Sequence, residues 1–278
     1  MTGGRGRGDD AATAVAALPK LPPLGLYVHL PWCVQKCPYC DFNSHGLKGL
    51  LPEASYLDAL LADLEDEWPL VGGRGVATVF FGGGTPSLFR AESIGRLLEW
   101  LRARDGLAAD AEVTLEANPG TVERGRFADY RAAGINRISL GVQSFDPTQL
   151  KRLGRIHGPG EVAGSLDELV RAGLEDFNID LMYGLPGQSV GEACEDLAAA
   201  IAAGPSHISH YQLTLEPNTL FWHEPPTLPD DEATWEMHNR CGDLLGAAGF
   251  EHYEVSAFAL DGRRCGHNVN YWSYGDYV

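Results

Sequence analysis

The sequence predicts an α/β fold of six successive βα units around a parallel sheet, and three observations carry that prediction. From Leu24 onward, short apolar runs alternate with longer segments of helical period, the pattern of βα repeats. The short runs are apolar in the middle and polar at their C-terminal ends, where open α/β sheets and (β/α) barrels carry their sites. The helical segments are punctuated by Pro and Gly, which start and stop helices for steric reasons.

The first strand is expected over residues 24–30. A helix follows over residues 53–68, opened by Pro52, closed by Pro69, with Tyr56, Leu57, Leu60, Leu61 and Leu64 inward. The second strand, residues 76–81, runs into Gly82, Gly83, Gly84, Thr85 and Pro86, and a helix resumes near Ala91 with Ile94, Leu97, Leu98 and Leu101. The third strand is 112–117. The fourth, 137–142, follows a helix that carries Phe127 and Tyr130 and ends at Gly134, a good C-cap residue. The fifth, 176–182, follows a helix with Val162, Leu166, Leu169 and Val170, and the sixth, 207–213, follows an Ala-rich helix over 191–203. A helix over 231–247 and a strand over 253–258 lead to a polar, aromatic ending. One mouth is expected to collect Tyr27, His29, Thr85, Glu116, Asn118, Gln143, Asp180 and Gln212.

The 278 residues carry 21 Lys and Arg against 38 Asp and Glu, a net charge of −17. That balance argues against a nucleic-acid backbone or an anionic membrane as the main partner, leaving membrane contact at most peripheral. Residues 1–23 read as a disordered low-complexity tail, Gly/Arg-rich and then Ala- and Pro-rich, too weakly apolar for a signal peptide. Six cysteines, three clustered and three scattered (Cys194, Cys241, Cys265), are no secreted disulfide framework. A reducing cytoplasm fits them.

The cluster lies in LGLYVHLPWCVQKCPYCDFNSH, where Cys33, Cys37 and Cys40 follow the first strand. Pro31 and Pro38 stiffen this loop, and Lys36 is expected to favour thiolate over thiol. Three readings compete. Structural zinc wants four closed ligands, usually in two knuckles, and no second knuckle is present. A disulfide needs a pair, and so tight a trio would strain it. Three thiolates on a four-iron cluster leave one iron open to a small molecule's amino and carboxylate groups.

The spacing C-x3-C-x2-C, with Tyr39 just before the third cysteine, resembles the radical S-adenosylmethionine (SAM) superfamily. The resemblance implies a partial (β/α)6 radical SAM barrel over residues 24–250, a 4Fe-4S cluster on Cys33, Cys37 and Cys40, and SAM on its open iron. The glycine turn after the second strand is weak evidence alone; in the superfamily such a segment grips the SAM amino group, which assigns Gly84 and Thr85. Arg155 suits the SAM carboxylate, Glu116 its ribose hydroxyls or ammonium, and Asp180 its ribose hydroxyls.

The segments LYVHLPWC, FGGGTPSL, LEANPG, GVQSF, IDLMYGLPGQ and YQLTLEPNT together resemble the oxygen-independent coproporphyrinogen III oxidase family. By match to its motifs, Tyr27, Gly84, Thr85, Glu116, Gln143, Arg155 and Asp180 are expected SAM contacts. The oxidase branch has a fourth cysteine two places after the third, where this chain has Phe42. The other branch, the HemW-type haem chaperones, has Phe there and an H-N-x-x-Y-W motif linked to haem. This chain has His267, Asn268, Val269, Asn270, Tyr271 and Trp272. An exposed imidazole can ligate iron and the two aromatics can stack on a macrocycle. Without the resemblance, a surface histidine beside packed aromatics is the plainer reading, and His207, His210, His223, His238 and His252 read as structural or solvated.

The resemblance implies a haem chaperone that holds a cluster, SAM and haem and passes haem to haem-dependent targets such as respiratory enzymes, with homodimerisation and, where SAM is cleaved, an electron donor. Residues 251–278 are then the start of a C-terminal region, a short extension that stops early relative to the family. One alternative is the oxidase, decarboxylating the propionates of coproporphyrinogen III. Another is a zinc-binding interaction protein.

Overall fold

The computed structural model describes residues 21–121 and 126–278. The expected tail, up to residue 20, lies outside the described residues. Strand β1 (Leu24–Leu30) leads into a small parallel pair, β2 (Trp32–Cys33) with β3 (His45–Gly46). Then α1 (Glu53–Val71), β4 (Val76–Gly83), α2 (Ala91–Arg102), β5 (Leu107–Ala117), α3 (Arg126–Ala133) and β6 (Arg137–Gln143) follow. Helices α4 (Pro147–Arg152) and α5 (Pro159–Ala172) precede β7 (Phe177–Tyr183), and α6 (Val190–Ala202) precedes β8 (His207–Gln212). The chain closes with α7 (Leu220–His223), α8 (Asp231–Ala247), β9 (Glu251–His252), β10 (Ala257–Ala259), α9 (Gly266–Trp272) and β11 (Asp276–Tyr277).

The six expected strands pair in parallel and in sequence order, β1-β4-β5-β6-β7-β8. This is the singly wound order of a partial (β/α)6 barrel, and among the described residues no pairing joins β1 to β8. Each strand divides its side chains by pleat. Leu26, Val28, Val79, Phe81, Val113, Leu115, Ile138, Leu140, Ile179, Leu181 and Ile208 pack against the helices and are buried. The alternate positions Tyr27, Thr78, Glu116, Ser139, Asp180 and Tyr211 form the inner, polar face.

Helix boundaries follow local chemistry. Asp146 and Ser189 cap α4 and α6, Ser189 in a reciprocal box with Glu192. Pro69 does not close α1 as expected. The helix runs through it to Val71 and ends where Gly72 turns left-handed (φ 65°), the conformation in which glycine caps a helix. The expected strand over 253–258 is instead two short strands: β10 pairs antiparallel with β8 and β9, with a bend through 254–256 between them.

Residues 251–278 extend this sheet at both edges. β9 and β10 add beyond β8, while β11 adds in parallel to β1 and Val278 O accepts from Tyr27 N–H (2.9 Å). Helix α9 between them is held by one carboxylate. Glu112 accepts from the N–H groups of Gly266 (2.9 Å) and His267 (3.0 Å) and from the Cys265 thiol (3.4 Å), and buried Arg137 stands 3.8 Å away. A carboxylate at a helix start satisfies otherwise orphaned donors. Glu112→Ala is therefore expected to cost about 1.5–3 kcal/mol, and amide exchange should quicken in α9 and β11 ahead of β5–β7. Equal protection in wild type and variant would refute this anchoring role.

Candidate functional site

The cysteine loop is clamped from three sides. Gly84 N–H donates to Leu30 O and Thr85 N–H to Trp32 O, both at 2.8 Å. A Cβ on Gly84 would lie 2.7 Å from Pro31 C and Trp32 O, so only glycine permits this approach. On another side, Gly154 sits in the left-handed region (φ 66°), where a Cβ would lie 2.8 Å from Pro38 Cδ. On the third, Phe221 N–H of α7 donates to Pro38 O (3.0 Å), and Tyr39 packs against Phe221.

Within the loop, Cys33, Cys37 and Cys40 are half-buried free thiols. Lys36 acts on the thiols as expected: against the larger effect of burial, its charge pulls the Cys40 thiol down. Its Nζ donates to the carbonyls of Phe42 (2.9 Å) and Ser44 (3.1 Å) and so closes the loop. A second cation is Arg155, whose Nη1 lies 3.5 Å from Cys37 Sγ. Burial pushes the Cys40 thiol up. Among the described residues, no three His, Cys, Asp or Glu side chains gather closely enough to hold one metal ion. Mononuclear zinc needs all its thiolates about 2.3 Å from a single centre, whereas a cluster spreads them over separate irons. Three thiols in one short loop are a donor set that fits such a cluster.

The polar face of the strands meets this loop. Glu116 accepts from Gly83 N–H (3.2 Å). Asp180 accepts from Asn178 Nδ2 (2.7 Å) and Ser139 Oγ (3.3 Å). Burial, and then the neighbouring charge of Asp180, push Glu116 up to about 8, and burial raises Asp180 as well. Gln143 adopts a left-handed conformation (φ 71°) where the β6–β7 register shifts between Gly141 and Gln143. A bulge of this kind re-aims a side chain, and here Tyr211 O–H donates to Gln143 Oε1. Arg155 Nη2 donates to Gly141 O (2.7 Å), while its buried Nε has no partner. An unpaired guanidinium donor and two carboxyls whose ionisation burial penalises suit a ligand that brings its own carboxylate and ammonium.

The mouth thus gathers Tyr27, Gly84, Thr85, Glu116, Gln143, Arg155, Asp180 and the cysteines. Gln212 is a correction: it is exposed, and Tyr211 is the residue β8 turns to the mouth, because pleat parity puts neighbours on opposite faces. His157 also escaped sequence reading. Its ring bridges Val142 O (3.1 Å) and Asn118 Oδ1 (3.0 Å), and burial and Arg155 push it down to about 4. The one signal for it was its place two residues after Arg155.

His267 is not the exposed imidazole expected. It is half-buried, with Nδ1 on Thr78 Oγ1 (2.9 Å) and its ring stacked on Phe80 (centroids 5.2 Å apart). Burial lowers its pKa, which favours its neutral form. An apolar cavity of about 290 Å³ opens beside it, lined by Tyr27, His267, Asn270, Tyr271, Tyr277 and Val278. Asn268 Nδ2 donates to the Tyr253 hydroxyl (3.1 Å), itself 2.8 Å from His207 Nε2. Cys265 is buried and faces Glu112, and burial and then that carboxylate push it up to about 12.

The radical SAM superfamily profile matches residues 27–200. The haem chaperone HemW of Escherichia coli (strain K12) is 58% identical over 259 residues, which are 93% of this chain and 68% of that protein. The chain belongs to the HemW family of radical SAM proteins. HemW of Haemophilus influenzae is 52% identical, with 94% of this chain and 69% of that protein covered. The mitochondrial radical S-adenosyl methionine domain-containing protein 1 of Bos taurus is 39% identical over 97% of the chain and 62% of its own length. Among solved structures, the coproporphyrinogen III oxidase HemN of Escherichia coli, described as a radical SAM enzyme, superposes with a TM-score of 0.80 at 28% identity. That match covers 87% of this chain and 56% of the oxidase. This chain therefore spans about two thirds of the bacterial HemW proteins, and radical SAM membership implies a 4Fe-4S cluster and SAM. Among the described residues no helix is long and apolar enough to cross a membrane.

The Glu116 carboxyl gives a pH-dependent test. Its folded-state pKa lies above its unfolded one, so ionising it destabilises the fold increasingly as pH rises from about 4.5 to about 8. Glu116→Gln is expected to raise the melting temperature of the ligand-free protein by roughly 2 °C or more at pH 8, with the gain vanishing towards pH 4.5, and to weaken SAM binding. A pH-independent gain would show that burial of this charge is not the cause.

Proposed function

We propose that this protein is a haem chaperone of the HemW type, binding haem beside His267 and delivering it to haem-dependent proteins of the cytoplasm or its membrane surface, on a scaffold that holds a 4Fe-4S cluster and SAM. Cys33, Cys37 and Cys40 would hold the cluster; Gly84, Thr85, Glu116, Gln143, Arg155, Asp180 and Tyr27 would hold SAM. A reduced cluster of this type supplies an electron that can cleave SAM. Residues 251–278, which carry the H-N-x-x-Y-W segment, would supply the haem-binding part.

The observation that carries this reading is the apolar, aromatic cavity beside a histidine whose neutral form burial favours. Nδ1 is occupied by Thr78 Oγ1, and in the tautomer whose Nδ1–H donates there, Nε2 presents its lone pair, the form that ligates iron. The cavity's 290 Å³ is at the small end of the roughly 300–1,000 Å³ that encloses whole ligands. It suits the edge of a macrocycle, with exposed Tyr271 and Tyr277 against the remainder. The relatives named as haem chaperones support the same reading, as does Phe42 in place of a further cysteine.

Anaerobic reconstitution should give about four irons per chain, lost in each of Cys33→Ala, Cys37→Ala and Cys40→Ala; a cluster surviving all three would place its ligands elsewhere. Haem titration should give a saturable Soret change that weakens about tenfold or more in His267→Ala, the loss of one good ligand interaction. An unaltered titration would sink the His267 assignment. Incubation with coproporphyrinogen III, SAM and reductant should yield no decarboxylated product, and robust turnover would favour the oxidase reading instead.

A further inference from the structure

We infer that Tyr27 is a wall shared by the SAM site and the cavity beside His267, and that Phe80 is the positioning residue through which each site senses the other's occupancy. The inference rests on the haem reading above and adds a coupling to it.

A continuous column of contacts joins the two places. In the cysteine loop, Asn43 O accepts from His29 Nε2 (2.8 Å), which leaves His29 Nδ1 to accept from Tyr27 O–H (3.2 Å). The Tyr27 ring stacks on Phe80 (centroids 6.3 Å apart, 19° between planes), and Phe80 stacks on His267 (5.2 Å, 29°). His267 is fixed in turn by Thr78, the next inward residue of β4.

Tyr27 has one end in each site. A Cβ on Gly82 would lie 3.1 Å from the Tyr27 hydroxyl and 3.2 Å from Glu116 Oε2, so the hydroxyl belongs to the SAM mouth. The ring lines the cavity with His267. At 40% exposure Tyr27 is open to a ligand on either side. A ligand on either side fixes its ring and, through Phe80, the plane of His267. The second ligand then meets a wall already ordered, so each tightens the other by the same factor. Ordering one such side chain corresponds to roughly two- to tenfold in affinity.

The test uses protein reconstituted anaerobically with iron and sulfide. Haem is titrated with and without SAM, and SAM with and without haem, in wild type, Phe80→Leu, Phe80→Tyr and His267→Ala. In wild type, SAM should tighten haem binding roughly two- to tenfold, and haem should tighten SAM binding equally. Phe80→Leu should bind both ligands with a coupling factor near one, and Phe80→Tyr, which keeps a stacking ring, should retain the wild-type factor. A wild-type haem affinity indifferent to SAM, with His267→Ala still weakening haem, overturns the coupling and leaves the haem site standing. Haem binding indifferent to His267→Ala overturns the site itself. Full coupling in Phe80→Leu overturns the role of Phe80.

Discussion

The structure depends on the close approach of the glycine turn at the end of β4 to the loop at the end of β1. Gly84 can touch the Pro31 and Trp32 backbone because it has no Cβ, and two backbone hydrogen bonds hold the contact. Through it the cysteine loop is fixed to the rigid sheet rather than left as a surface excursion. The second contact, Gly154 on Pro38, fixes the loop to the segment that carries Arg155. The thiols and the cation that faces Cys37 therefore share one frame.

From that frame the inner face of the sheet acquires its chemistry. Six parallel strands in sequence order send alternate side chains inward, and the inward set is polar where an ordinary core would be apolar. Holding Glu116 and Asp180 together in a half-closed space costs stability, as their raised pKa values express. The unpaired Arg155 Nε is a cost of the same kind. Strain of this sort collects where a ligand is to relieve it.

The C-terminal segment uses the same inner face from its other end. Glu112 and Arg137 hold the start of α9, Thr78 and Phe80 hold His267, and β11 lies along β1. The H-N-x-x-Y-W motif is thereby packed on the barrel's first two parallel strands, the strands that also deliver the cysteine loop and the glycine turn.

By itself the sequence determined the fold class, the six strands, the cysteine trio and most of the residues around the mouth. These are local signals: periodicity, Pro and Gly punctuation, ligand spacing and short motifs at strand ends. Pro69 misled because a helix end is decided by the cap beyond it, here Gly72. Gln212 misled because facing is a matter of pleat parity, which a bulge or a boundary shifted by one residue reverses. Lys36 and His267 could only be judged in three dimensions. Whether a cation reaches a thiol or a carbonyl, and whether an imidazole is exposed or stacked, depends on partners such as Phe42 and Ser44, or Thr78 and Phe80. Those partners are chosen by tertiary packing, and for His267 they lie nearly two hundred residues away in the chain. The sequence said which groups the molecule possesses, and the tertiary structure decided which of them meet.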